Sequence, residues 1–127
     1  MLDFSIFHMN RFDPEIILTK HMYEIGMSSH LDGFHYFRTG ILICFQENTA
    51  FTSRSIRPLY EKIAERTGAK TACIERSVRN LISRTWVCTQ QESVIWFGTE
   101  FTARPANSKV MAAALTWLRS QKEAFTE

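Results

Sequence analysis

Residues 55–86 read SIRPLYEKIAERTGAKTACIERSVRNLISRTW, and the spacing of the apolar residues predicts two helices joined by a tight turn. Ser55 can cap the first, in which Ile56, Leu59, Tyr60 and Ile63 repeat on one face. Pro58 falls in the first turn, where a missing N–H is tolerated. The helix should end near Thr67 and Gly68, and Thr71 can then cap a second helix reaching about Trp86. A helix-turn-helix needs a small residue where its helices cross, a turn residue tolerant of positive φ, and an apolar residue facing back from the second helix. Ala64, Gly68 and Ile74 stand at that spacing, although the same spacing also arises by chance in helical proteins.

The second helix sharpens the reading. At about 100° per residue, Ile74, Val78, Leu81 and Thr85 share one side, while Glu75, Arg76, Arg79, Asn80 and Ser83 share the other. Lys70, Thr71 and Cys73 stand at its start. The outward groups suit base edges: arginine donates two hydrogen bonds to guanine, glutamate accepts from cytosine, and asparagine pairs bidentately with adenine. They equally suit a solvated face carrying an ordinary Glu75–Arg79 pair one turn apart, and spacing alone does not choose between the two.

Charge is distributed unevenly. The net charge of +2 hides eight basic residues against three acidic ones in residues 53–86, a local balance of +5, with −3 over the remainder. Such gathering is expected where one face of a fold meets a phosphate backbone.

Outward from this segment, Asp13-Pro14 offers an N-cap and a proline at the first helical position of a helix closing at Gly26. A further helix over 33–47 carries Phe34, Phe37, Ile41, Leu42 and Phe45 as a core stripe. A short helix is expected over 91–97, with an aromatic strand pair over 94–101 as the alternative. The last helix begins at Asn107-Ser108 and turns Val110, Met111, Ala114, Leu115 and Leu118 inward. The expected fold is therefore an all-α, six-helix single domain containing a helix-turn-helix at about 55–86.

Composition narrows the functional classes. At 127 residues and 45% hydrophobic content, the chain can enclose one core. The longest apolar run, 40–45, is far below a membrane span, and the N-terminus does not read as a secretion signal, so a cytoplasmic address without membrane contact is expected. Cys44, Cys73 and Cys88 include no Cys-x-x-Cys pair, and His8, His21, His30 and His35 include no His-x-x-x-His pair. Neither a disulfide framework nor a metal site is expected. With no nucleophile–base pair or Gly-rich phosphate loop, no cofactor and no enzymatic activity are expected either.

The run Cys73 to Arg79, Cys-Ile-Glu-Arg-Ser-Val-Arg, resembles the recognition helix of the sporulation master response regulator family (stage 0 sporulation protein A), whose pattern is aliphatic-Glu-Arg-Ala-aliphatic-Arg. Glu24-Ile-Gly, His30 with Gly33, Tyr36 and Arg38, Leu59-Tyr60, Ile63-Ala64, Trp86, Phe97-Gly98 and Pro105-x-Asn107-Ser108 resemble the same domain in the same order. The similarity covers about Ile16 to Leu118. It implies a six-helix effector domain over 13–127 behind an N-terminal extension of residues 1–12, and a spore-forming bacterium as the source. It also implies a transcription regulator that reads double-stranded DNA in the major groove with a recognition helix at about 72–86. Glu75, Arg76 and Arg79 keep the family's identities, and Asn80 replaces its usual histidine; with Cys73, Thr71 and Lys70 they form the expected DNA-binding set. A homodimer on tandem sites and the sigma subunit of RNA polymerase are the further partners implied.

Three departures support a competing expectation. Cys73 stands where the family generally has arginine, which removes one guanine reader. Val87-Cys88-Thr89-Gln90 replaces the family's Ser-Arg-Gly-Asn turn. Only about a dozen residues precede the first helix, where the family places a receiver domain, so the chain reads as a fragment or a receiverless protein. The competing expectation is an interaction module that pairs with a related regulator or a polymerase subunit without strong DNA binding.

Overall fold

Asp13 accepts hydrogen bonds from the backbone N–H groups of Glu15 and Ile16 at 3.1 and 3.2 Å, satisfying donors that a helix start leaves orphaned. From this cap the computed structural model, which describes residues 11–48, 56–89 and 91–126, proceeds through α1 (Pro14–Glu24), α2 (Asp32–Glu47), α3 (Ile56–Thr67) and α4 (Thr71–Thr89). A hairpin of β1 (Val94–Trp96) and β2 (Thr99–Phe101) follows, and α5 (Asn107–Thr126) closes the order. Residues 1–10 and the expected cap Ser55 lie outside the described residues. No helix among the described residues is long and apolar enough to cross a membrane.

Helix α2 is the hub, packing against α1, α3, α4 and α5. Its Phe34, Phe37 and Ile41 are buried against Leu18 and Met22 of α1, Ile63 of α3, Ile74, Val78 and Leu81 of α4, and Met111, Leu115 and Leu118 of α5. Burying each such side chain contributes about 1.5–3 kcal/mol. Gly33, in the first turn of α2, lies so close to α4 that a Cβ there would meet the Ser77 carbonyl oxygen at 2.1 Å and its carbonyl carbon at 2.6 Å. The α2–α4 crossing is therefore backbone against backbone.

The structure corrects the sequence-based picture in three places. Five helices, not six, occur among the described residues, because 91–97 holds β1 and its turn instead of a helix. Val94 and Trp96 are buried while Ile95 is 67% exposed, an alternation of period two that is too brief to outweigh the helical reading. β1 pairs antiparallel with β2, Trp96 opposite Thr99, across Phe97 and Gly98 at φ 52° and 72°, the positive-φ pair of a tight hairpin turn. Second, Thr71 is the first residue of α4 and not its cap; the Lys70 carbonyl accepts from the Ile74 N–H at 3.0 Å. Third, α4 runs to Thr89, beyond the expected end at Trp86.

Tertiary contacts hold the hairpin. Trp96 meets Trp86 edge-on at 5.9 Å between ring centroids, and Phe97 lies 5.8 Å from both Phe37 and Trp117. The Phe97 N–H donates to His21 Nε2 at 3.2 Å, and the His21 ring packs 4.2 Å from that of Trp117. An accepting Nε2 requires the neutral tautomer with its proton on Nδ1, the nitrogen 3.6 Å from Glu24 Oε2. Desolvation holds the His21 pKa below its ordinary 6.5, with Glu24 opposing the shift. The unfolded chain thus takes up the proton first, so this contribution to stability is complete above pH 6.5 and is lost as pH falls through 6.5 toward the folded-state value. Urea unfolding followed from neutral pH to about pH 5 should show stability declining by at most about 1.4 kcal/mol per pH unit from this one proton. His21→Gln should flatten the decline; an identical slope in the variant would exclude His21 as its source.

Candidate nucleic-acid interface

Helix α3 hands over to α4 across residues 68–70. The Thr67 hydroxyl donates to the Ile63 carbonyl at 2.8 Å and accepts from the Ala69 N–H at 3.3 Å. Gly68 takes φ +78° and donates to the Ala64 carbonyl at 2.8 Å, a left-handed helix stop that side chains with a Cβ resist. Ala64 is partly buried and Ile74 fully so, in keeping with the roles that their spacing suggested.

The inner face of α4 is closed. Ile74, Val78, Leu81, Ile82 and Thr85 are buried, and the Thr85 hydroxyl is satisfied within the helix by the Leu81 carbonyl at 2.7 Å. The outward residues, on the side of the helix where the sequence places them, form two adjacent rows. Cys73, Arg76, Asn80 and Arg84 follow one another at three- and four-residue steps and are all exposed. Arg76 has no ion-pair partner among the described residues.

Glu75, Arg79 and Ser83 make the second row, turned to one flank. Glu75 Oε1 and the Arg79 guanidinium form an ion pair one turn apart, each about half exposed. Lys70 and Thr71, both exposed, lie at the N-terminal end of the helix. The seven expected site residues thus share one helix and its entry, while only Cys73, Arg76 and Asn80 of them occupy the outermost row.

The flank is organised by residues distant in sequence. Asn107, opening α5, donates through Nδ2 to the Tyr60 hydroxyl of α3 at 3.0 Å and to the Glu75 carbonyl of α4 at 3.1 Å, joining three helices at one point. Burial pushes the Tyr60 phenol above its ordinary pKa, with the Asn107 hydrogen bond opposing; at neutral pH it stays protonated. Arg104, on the β2–α5 connection, donates to the Ser83 hydroxyl at 2.8 Å. Neither Arg104 nor Asn107 was among the expected site residues. Nothing in local spacing could have found them, since their partners are 21 and 32 residues away; the resemblance run through Pro105 and Asn107-Ser108 was the available signal.

The basic segment is not uniformly available. Lys62 forms an ion pair at 2.5 Å with Glu47 at the end of α2, and that hydrogen bond raises its pKa. Arg79 is paired to Glu75, and Arg54 lies outside the described residues. Arg57, Arg66, Lys70, Arg76 and Arg84 are exposed without an ion pair among the described residues, so positive charge remains on the α3–α4 unit. A family model described as "Sporulation initiation factor Spo0A C terminal" matches residues 18–118.

Proposed function

The chain belongs to the family of the C-terminal domain of sporulation initiation factor Spo0A, a DNA-binding effector domain of transcription regulators, and from that premise we propose that α4 is its recognition helix. One observation carries the reading: the exposed row Cys73, Arg76, Asn80 and Arg84 backs onto a fully buried row of Ile74, Val78 and Leu81. The helix is anchored on one side and presents hydrogen-bonding groups on the other, as entry into a major groove requires.

In this reading Arg76 pairs with guanine and Asn80 with adenine, while Lys70 and Thr71 meet phosphate at the helix start. Glu75 and Arg79, paired with each other in the free protein, reach DNA once that pair opens, since a surface pair one turn apart is worth only about 0.3–0.5 kcal/mol. Cys73 contributes a short thiol where the family's arginine would reach a base. The effector domain spans 13–127, acts in the cytoplasm, and has a second copy on tandem sites and the sigma subunit as further partners.

Binding of the protein to duplex DNA should weaken steeply with salt, because each neutralised phosphate releases condensed counterions. Mobility shifts on random duplex and on the family's box, repeated over a salt series, check this. The second reading, an interaction module, rests on Cys73 at the first turn of the recognition helix. A shift absent at low salt on both duplexes would favour that module and remove the DNA-reading assignment.

A further inference from the structure

Beside α4 lies an open groove of about 710 Å³, lined among others by Arg57 of α3, Thr71, Glu75 and Arg79 of α4, and Arg104 of the β2–α5 connection. We infer that the phosphate backbone of one DNA strand runs along this groove, held by Arg57 and Arg104, while the Cys73–Arg76–Asn80 row occupies the major groove. The inference rests on the proposed recognition role of α4.

Three observations point to this occupant. The groove is continuous with the recognition helix, since Thr71, Glu75 and Arg79 form one of its walls, so a duplex seated on the exposed row passes over its rim. Its charge is that of an anion-binding surface: three guanidinium groups face one carboxylate, and that carboxylate is already paired with Arg79. One of its cations is also placed in advance. Arg104 is held by Ser83 of α4, which leaves further N–H donors of its guanidinium for phosphate oxygens, and the Asn107 bonds to Tyr60 and Glu75 tie the groove walls together.

Phosphate contacts position a protein without reading sequence, which separates Arg57 and Arg104 from Arg76 by experiment. Affinities of the full chain are measured over a salt series on a duplex carrying the site that the protein selects from random duplex DNA and on a scrambled duplex of equal length. Arg57→Ala and Arg104→Ala should each weaken binding by the same factor on both duplexes, and each should make the plot of log affinity against log salt shallower by about 0.9. Arg104→Lys should restore the slope, and Lys20→Ala on α1 should leave affinity and slope at wild-type values.

Unchanged affinity and slope in both alanine variants, with binding still reduced by Arg76→Ala, would overturn the groove assignment and leave the recognition helix standing. A loss confined to one base pair of the selected site would overturn it as well, by making the arginine a base reader. If the unaltered protein shifts neither duplex, the proposed function fails and the groove assignment with it.

Discussion

Gly33→Ala should lower the stability of this domain by about 3 kcal/mol, the upper end of the cost of overpacking a rigid site. The added Cβ would sit 2.1 Å from the Ser77 carbonyl oxygen, and that neighbour is helix backbone, which cannot rotate aside as a side chain can. The crossing of α2 and α4 must open, so the melting temperature should fall by roughly 10 °C. Gly68→Ala is the informative comparison. Nothing lies within 4 Å of a Cβ there, but φ is +78°, so only backbone strain of about 1–2 kcal/mol is expected. A Gly33→Ala protein that melts no lower than Gly68→Ala would mean that the two helices do not cross this closely. Because Ser77 lies between Arg76 and Val78, the same substitution should also disturb the outer row and weaken DNA binding, which Gly68→Ala should affect less.

Arg76→Ala should remove about 1–3 kcal/mol of specific binding while leaving the melting temperature in place, since a bidentate arginine–guanine contact is worth about that much and Arg76 is exposed. The loss should fall on one base pair when affinities are compared across singly substituted sites. Cys73→Arg is the converse change on the same row. It should add about 1–3 kcal/mol of preference for guanine at a single position. A gain equal on all sequences would place the new side chain on phosphate, and no gain on any DNA would mean that this row does not face the groove. Unchanged affinity in Arg76→Ala would be equally damaging to the assignment.

Much of the α3–α4 unit was legible in the sequence because its determinants are local. A helix boundary depends on residues within one turn, so the Asp13-Pro14 start and the Gly68 stop stand where the sequence places them. A buried face depends on a period of about 3.6 residues, so Ile74, Val78 and Leu81 were identifiable as the inner row before any fold was known. The concentration of arginine and lysine in 53–86 is likewise a property of the chain itself.

The rest needed the tertiary structure. The expected helix over 91–97 is a hairpin because Trp96 and Phe97 find Trp86, Phe37, Trp117 and His21, partners distant along the chain that a three-residue strand cannot advertise. Along one flank of α4, the Ser83 hydroxyl accepts from Arg104 and the Glu75 carbonyl accepts from Asn107, and both partners arrive through the β2–α5 connection and the start of α5. Gly33 shows the same division: its identity is a single letter in the sequence, yet the reason for it is a carbonyl on another helix, 44 residues away. Local periodicity determined which residues of this protein turn inward; long-range packing decided what the outward ones stand beside, because charge and hydrogen-bond partners are set by distance in space and not by separation along the chain.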